Sequence, residues 1–92
     1  MIVNANCRGL RSVLRKFDED GRYAEGEHWS IGKGGYDLWW ELSYDGIPVV
    51  DCVCNRIKNL CLTNDLFNRI FRIVKEEYSD DWYPIRKAEE EE

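Results

Sequence analysis

Ninety-two residues with 43% apolar content and four tryptophans make one small domain with enough apolar surface for a core, which excludes wholesale disorder. Eighteen acids against thirteen bases give a net charge of −5, which speaks against a binder that tracks nucleic-acid phosphates over a wide surface. No secretory leader pattern and no apolar run long enough to span a bilayer is visible, so the sequence reads as a cytoplasmic domain whose four cysteines are reduced thiols.

Taken in chain order, Asn4 to Phe17 predicts a helix. Cys7, Leu10, Val13, Leu14 and Phe17 recur at three- and four-residue spacing, with Arg8, Arg11, Ser12 and Arg15 opposite. Gly9 inside it weakens the helix by roughly 1 kcal/mol or admits a close backbone. Asp18-Glu19-Asp20-Gly21 ends it. Tyr23 to Ile31 reads as one strand, with Gly26 marking a bulge or a late start, and Gly32-Lys33-Gly34-Gly35 as a tight turn.

The chain is organised around Tyr36 to Cys54. Tyr36, Leu38, Trp40, Leu42 and Tyr44 alternate with Asp37, Trp39, Glu41 and Ser43, the period of a half-buried strand. A three-residue loop, Tyr44-Asp45-Gly46, sets Trp40 opposite Val50, Leu38 opposite Cys52 and Tyr36 opposite Cys54, and keeps Asp51 out of the core. Arg56 to Leu62 reads as a connection. Thr63 to Tyr78 is a second helix, capped by Thr63 or Asn64, with an apolar face of Leu66, Phe67, Ile70, Phe71, Ile73, Val74 and Tyr78. Trp82 to Ile85 folds back on the domain, which covers residues 1–87, and residues 88–92 form a disordered acidic tail.

The expected fold class is therefore α+β in the order α-β-β-β-α, a three-stranded antiparallel meander with two helices packed on one face. The other face then carries Trp39, Val49 and Val53 with Trp29 or His28, more apolar than a solvated face requires. Either the Trp82–Ile85 segment or a partner covers it.

The charge is uneven. Residues 1–17 hold Arg8, Arg11, Arg15 and Lys16 and no acid, whereas residues 76–92 hold eight acids against Arg86 and Lys87. These clusters either meet each other or serve different partners, and two ordinary solvated faces is the plainer reading.

Signals of chemistry are weak. Cys7, Cys52, Cys54, Cys61 and His28 are five potential metal ligands, but Cys52 and Cys54 sit about 6.6 Å apart in a straight strand, and their spacing matches no zinc knuckle or ribbon. Buried cysteines alternating in phase with a core explain the pattern, and neither metal nor cofactor is expected. Gly32-Lys33-Gly34-Gly35 lacks the spacing of a phosphate loop. The single histidine, in Glu27-His28-Trp29, has no nucleophile or orienting group assigned by spacing, so no catalytic residue is named and the expectation is a non-enzyme.

The α-β-β-β-α order resembles the double-stranded RNA-binding domain and the small HicA-type toxin ribonucleases, but Thr63-Asn64-Asp65-Leu66 stands where the former has a lysine cluster, and Gly26-Glu27-His28 departs from the Gly-Ser-His of the latter. In its short length and its acidic runs, Asp18-Glu19-Asp20 and Glu89 to Glu92, the whole chain resembles small phage-encoded anti-CRISPR and other anti-defence proteins. That resemblance implies a protein inhibitor whose carboxylates occupy phosphate sites on a nucleic-acid-handling partner.

Three readings follow. In the first, Asp18, Glu19, Asp20, Asp37, Glu41, Asp45 and Asp51 steer the domain to a basic protein surface and Trp39 anchors it, with homodimerisation through the same face as a variant. In the second, Arg8, Arg11, Arg15 and Lys16 contact phosphate while Trp29 or Trp39 stacks on a base. The third is a ribonuclease-like use of His28.

Overall fold

The computed structural model describes residues 2–33, 39–53 and 56–78. Two helices and five strands follow in the order α1 (Leu10–Asp20), β1 (Tyr23–Glu25), β2 (Trp29–Lys33), β3 (Trp39–Tyr44), β4 (Ile47–Val53), β5 (Arg56–Asn59) and α2 (Asn64–Tyr78). The strands form one antiparallel sheet in the order β1-β2-β3-β4-β5. The α+β class and the meander stand, but the sheet has five strands where the sequence reading gave three.

Two local events supply the extra strands. The stretch read as a single strand from Tyr23 to Ile31 breaks at Gly26-Glu27-His28, where the Gly26 N–H donates to the Trp29 carbonyl at 2.8 Å. A Cβ at Gly26 would lie 3.1 Å from Val13 Cγ2, so glycine lets this turn sit against α1. The stretch read as a connection, Arg56 to Leu62, begins with β5, which pairs with β4 as Val53↔Arg56, Cys52↔Ile57 and Asp51↔Lys58. With charges at Arg56 and Lys58 and one apolar residue between them, β5 is an edge strand blunted by basic side chains.

Helix α1 starts later than its apolar spacing suggests. Gly9 has φ of 82° and halts the helix on its N-terminal side, leaving Cys7 half-buried outside it. Gly21, with φ of 80°, closes the other end by donating to the Phe17 carbonyl at 2.7 Å. Residues before Gly9 are pinned across the fold instead: the Val3 N–H donates to the Cys61 carbonyl at 2.8 Å, and the Trp29 indole N–H to the Asn6 carbonyl at 2.9 Å. Helix α2 opens as expected, with the Leu66 N–H donating to the Thr63 hydroxyl at 3.3 Å.

The central hairpin differs from its expected register. Asp45 and Gly46, with φ of 51° and 81°, form a two-residue turn that pairs Tyr44 with Ile47. The extra residue lies inside the ladder: Ser43 pairs with Pro48 but Leu42 with Val50, so Val49 is the bulge. Trp40 therefore faces Cys52, not Val50. Because the bulge restores the phase, Val50 and Cys52 still reach the core, and Val49, expected on the outer face, is buried as well. Tyr36, Asp37, Leu38, Cys54, the fold-back of Trp82–Ile85 and the tail of residues 88–92 lie outside the described residues.

The core joins both helices to one face of the sheet. Leu10, Val13, Leu14 and Phe17 of α1 and Ile70, Val74 and Tyr78 of α2 cluster with Trp29, Ile31, Trp40, Leu42, Val50 and Cys52. The Tyr78 hydroxyl donates to the Leu14 carbonyl at 3.0 Å, and burial pushes its pKa well above that of an ordinary phenol. No helix among the described residues is long and apolar enough to cross a membrane.

Candidate partner-binding face of the sheet

Strand periodicity puts every second residue on the face away from the helices. Cross-strand pairing then lines up Tyr23, Gly32, Glu41, Asp51 and Lys58 as one row across all five strands. Trp39, Val53 and Arg56 form the neighbouring row. Tyr23 is 51% exposed and lies over Gly32, where an added Cβ would come 3.2 Å from its ring. Tyr23, Ser30, Trp39, Glu41 and Ser43 line an open groove of about 350 Å³, with Gly32 and Lys33 completing its wall.

The charge arrangement on this face is asymmetric. Glu41 and Asp51 are directly opposite one another, with Cβ atoms expected about 4.5–5.5 Å apart. Like charges in that position repel, and no ion pair holds either carboxylate among the described residues. Trp39 and Val53 sit two residues along the same strands on the same face, so two carboxylates adjoin an indole and a valine, all half-buried. Arg56 and Lys58 form a basic rim at the β5 edge.

Of the acidic residues singled out from the sequence, Glu41 and Asp51 join Trp39 here. Asp18, Glu19 and Asp20 are exposed in the last turn of α1, on a different element. Asp45 is occupied at the hairpin turn, where its carboxylate accepts from His28 Nδ1 at 2.6 Å. Asp37 lies outside the described residues. The seven carboxylates thus do not act as one surface. Period two was enough to group Trp39, Glu41 and Asp51, but Tyr23 and the groove followed only once Tyr23–Ile31 proved to be two strands.

The residues of the nucleic-acid reading are dispersed. Trp29 is 1% exposed in the core, its indole N–H already bonded, and has no face to offer a base. Arg11 reaches Glu76 at 2.6 Å and Glu77 at 3.0 Å, and Arg15 reaches Glu77 at 2.8 Å. Hydrogen bonding to Arg15, and then to Arg11, holds the Glu77 carboxyl below its ordinary range. Glu76 and Glu77 in turn raise the pKa of Arg11. The basic first helix and the acidic end of the second meet each other. Arg8 and Lys16 are exposed outside this clamp.

His28 is exposed at the β1–β2 turn and stacks on Tyr44 with centroids 5.4 Å apart. The bond it donates to Asp45 raises its pKa. No protein-family model matches this chain, and comparison with curated proteins and with solved structures finds no match either.

Proposed function

We propose that the protein is a non-enzymatic interaction domain that takes a basic segment of a protein partner on the outer face of its sheet. The observation that carries this reading is the opposition of Glu41 and Asp51 beside Trp39 and Val53. A guanidinium or ammonium group from a partner relieves the repulsion between the carboxylates, while the indole and valine cover its apolar stem. Carboxylates at the surface steer association and a desolvated aromatic slows dissociation. In its narrower form the domain is an anti-defence inhibitor of phage or mobile-element origin, whose carboxylates take the place of nucleic-acid phosphates on a nucleic-acid-handling protein. The net charge of −5 and the engagement of Arg11 and Arg15 by Glu76 and Glu77 support that form over direct binding of nucleic acid.

The test is co-purification of the tagged protein from its native host at low salt, with and without nuclease, beside the double variant Glu41→Lys, Asp51→Lys. A protein partner that resists nuclease, dissociates with salt and is missing from the variant supports the reading. Equal recovery by the variant, or recovery of nucleic acid alone, overturns it. An arginine-rich peptide titrated against the labelled protein gives a second readout, with shifts expected at Trp39, Glu41 and Asp51.

A further inference from the structure

At the other end of the sheet, Asn6, Arg8, Gly9, Gly26, Glu27, His28 and Trp29 enclose a cleft of about 220 Å³. It is smaller than the roughly 300–1,000 Å³ of a site for a drug-sized molecule, and suits a single small group. Two basic residues line it from separate segments, Arg8 from the lead-in to α1 and His28 from the β1–β2 turn.

No carboxylate lining the cleft is ion-paired with either cation, and the pair that His28 makes is with Asp45, which lies outside the lining. Arg8 makes no ion pair among the described residues. His28 is bonded through Nδ1 to Asp45, which belongs to the β3–β4 turn, and is stacked on Tyr44. That attachment fixes the ring and leaves Nε2 as the nitrogen able to donate to a ligand. The Asn6 side chain accepts from the Arg8 N–H at 2.9 Å, and the Asn6 carbonyl takes the Trp29 indole N–H at 2.9 Å, so the segment bearing Arg8 is held at both levels. The start of α1 at Gly9 forms part of the wall and adds the positive end of its dipole.

We propose that this cleft binds a phosphate group, with Arg8 and His28 donating to its oxygens. Arg8 supplies a permanent charge and a planar fork of donors. His28 supplies a charge that falls with rising pH. Around that imidazole stand Asp45 and the stacked Tyr44 of the hairpin and Glu27 beside it, and Arg8 lines the same cleft. Asp45 and Glu27 favour its protonated form, Asp45 through its hydrogen bond first. Glu27 also lines the cleft and opposes an anion directly, so the site is tuned for weak, pH-dependent binding. Free phosphate and the terminal phosphate of a nucleic-acid strand share this chemistry.

The experiment is an NMR titration of the full chain with inorganic phosphate at about pH 6, below the ordinary histidine pKa of about 6.5, against sodium chloride at matched ionic strength. Saturable shifts are expected at Arg8, Gly9 and His28, with the His28 titration moving to higher pH as phosphate is added. Arg8→Gln and His28→Gln each weaken binding by about tenfold, Glu27→Gln tightens it, and Trp39→Ala leaves it unchanged. Arg8 is exposed, so Arg8→Gln tests the site without threatening the fold. A second arm compares a 5′-phosphorylated dinucleotide with its unphosphorylated form. Tighter binding of the former than of free phosphate assigns the site to strand ends, and equal or weaker binding assigns it to free phosphate. Shifts reproduced by chloride, or undiminished in Arg8→Gln, overturn the proposal.

Discussion

Two pairs of neighbouring carboxylates sit in opposite circumstances. Glu76 and Glu77, near the end of α2, are gripped by Arg11 and Arg15 of α1. Glu41 and Asp51 face each other across β3 and β4, with no such partner among the described residues. The difference shows that a count of charges does not say which of them are paired within the fold. One acidic pair is taken up in tying two helices together, and the other lies half-buried on the outer face of the sheet, with Lys58 opposite Asp51.

The sharpest way to break this division between a structural side and a presenting side is to truncate the two adjacent tryptophans of β3. Trp40 is fully buried, and Trp40→Ala is expected to lower unfolding free energy by about 3–5 kcal/mol in urea denaturation. Trp39→Ala, on the half-buried outer face, should cost about 1 kcal/mol while abolishing partner capture. Equal losses of stability would mean that Trp39 is structural and the outer face is not a binding surface.

A smaller effect tests the clamp. Glu77→Gln removes the carboxylate shared by Arg11 and Arg15 and should cost about 1 kcal/mol, reduced because both arginines are exposed to screening solvent. Since the folded pKa of Glu77 is depressed below 4.5, this contribution is fully present above about pH 4.5 and is lost as pH falls through the folded value. Thermal melts from pH 3 to 7, a range of about four units around the carboxylate values, should show that loss in the wild type and not in Glu77→Gln.

His28 has the opposite sign. Its folded pKa is raised above 6.5, so the stability from its bond to Asp45 is fully present below about pH 6.5 and is lost as pH rises through the folded value. Asp45→Asn should lower the His28 pKa measured by NMR; an unchanged value would dissolve the pair. The smallest effect is also the most telling. Glu41→Thr relieves the repulsion with Asp51 and places a good strand former on the sheet, so stability should rise by about 0.2–1 kcal/mol, while partner binding falls. A loss of stability would mean that Glu41 is engaged by the fold, and the two acidic pairs would no longer differ.

Much of this arrangement is legible in the residues, and the failures have physical causes. Helix α2 follows from its apolar face and from Thr63, because capping and periodicity agree there. The alternation of Trp39 to Tyr44 assigns both faces of β3 correctly. The position of the bulge is another matter: Val49 and Val50 are equally apolar, so phase alone cannot say whether the extra residue sits in the turn or two steps beyond it. Strand β5 has one apolar residue in four and no periodic signal. Cys7 lies in step with Leu10 and Leu14, yet a left-handed Gly9 stops the helix short of it. The partnership of Arg11 and Arg15 with Glu76 and Glu77 spans more than sixty residues, and charge balance at the two ends only hinted at it.

The sheet's strict neighbour order has a kinetic corollary. Each strand pairs with the next in the chain, so the meander can zip up through short loops, each hairpin templating its successor. Contacts between α1 and α2 are of another kind. The bond from Tyr78 to Leu14 closes a separation of 64 residues, and that from Arg11 to Glu77 one of 66. Such a closure costs more entropy than any hairpin and is repaid only when the sheet already holds the ends near one another. The contact between the helices is thus expected to close last, and disturbing it should quicken opening of the molecule far more than it slows assembly.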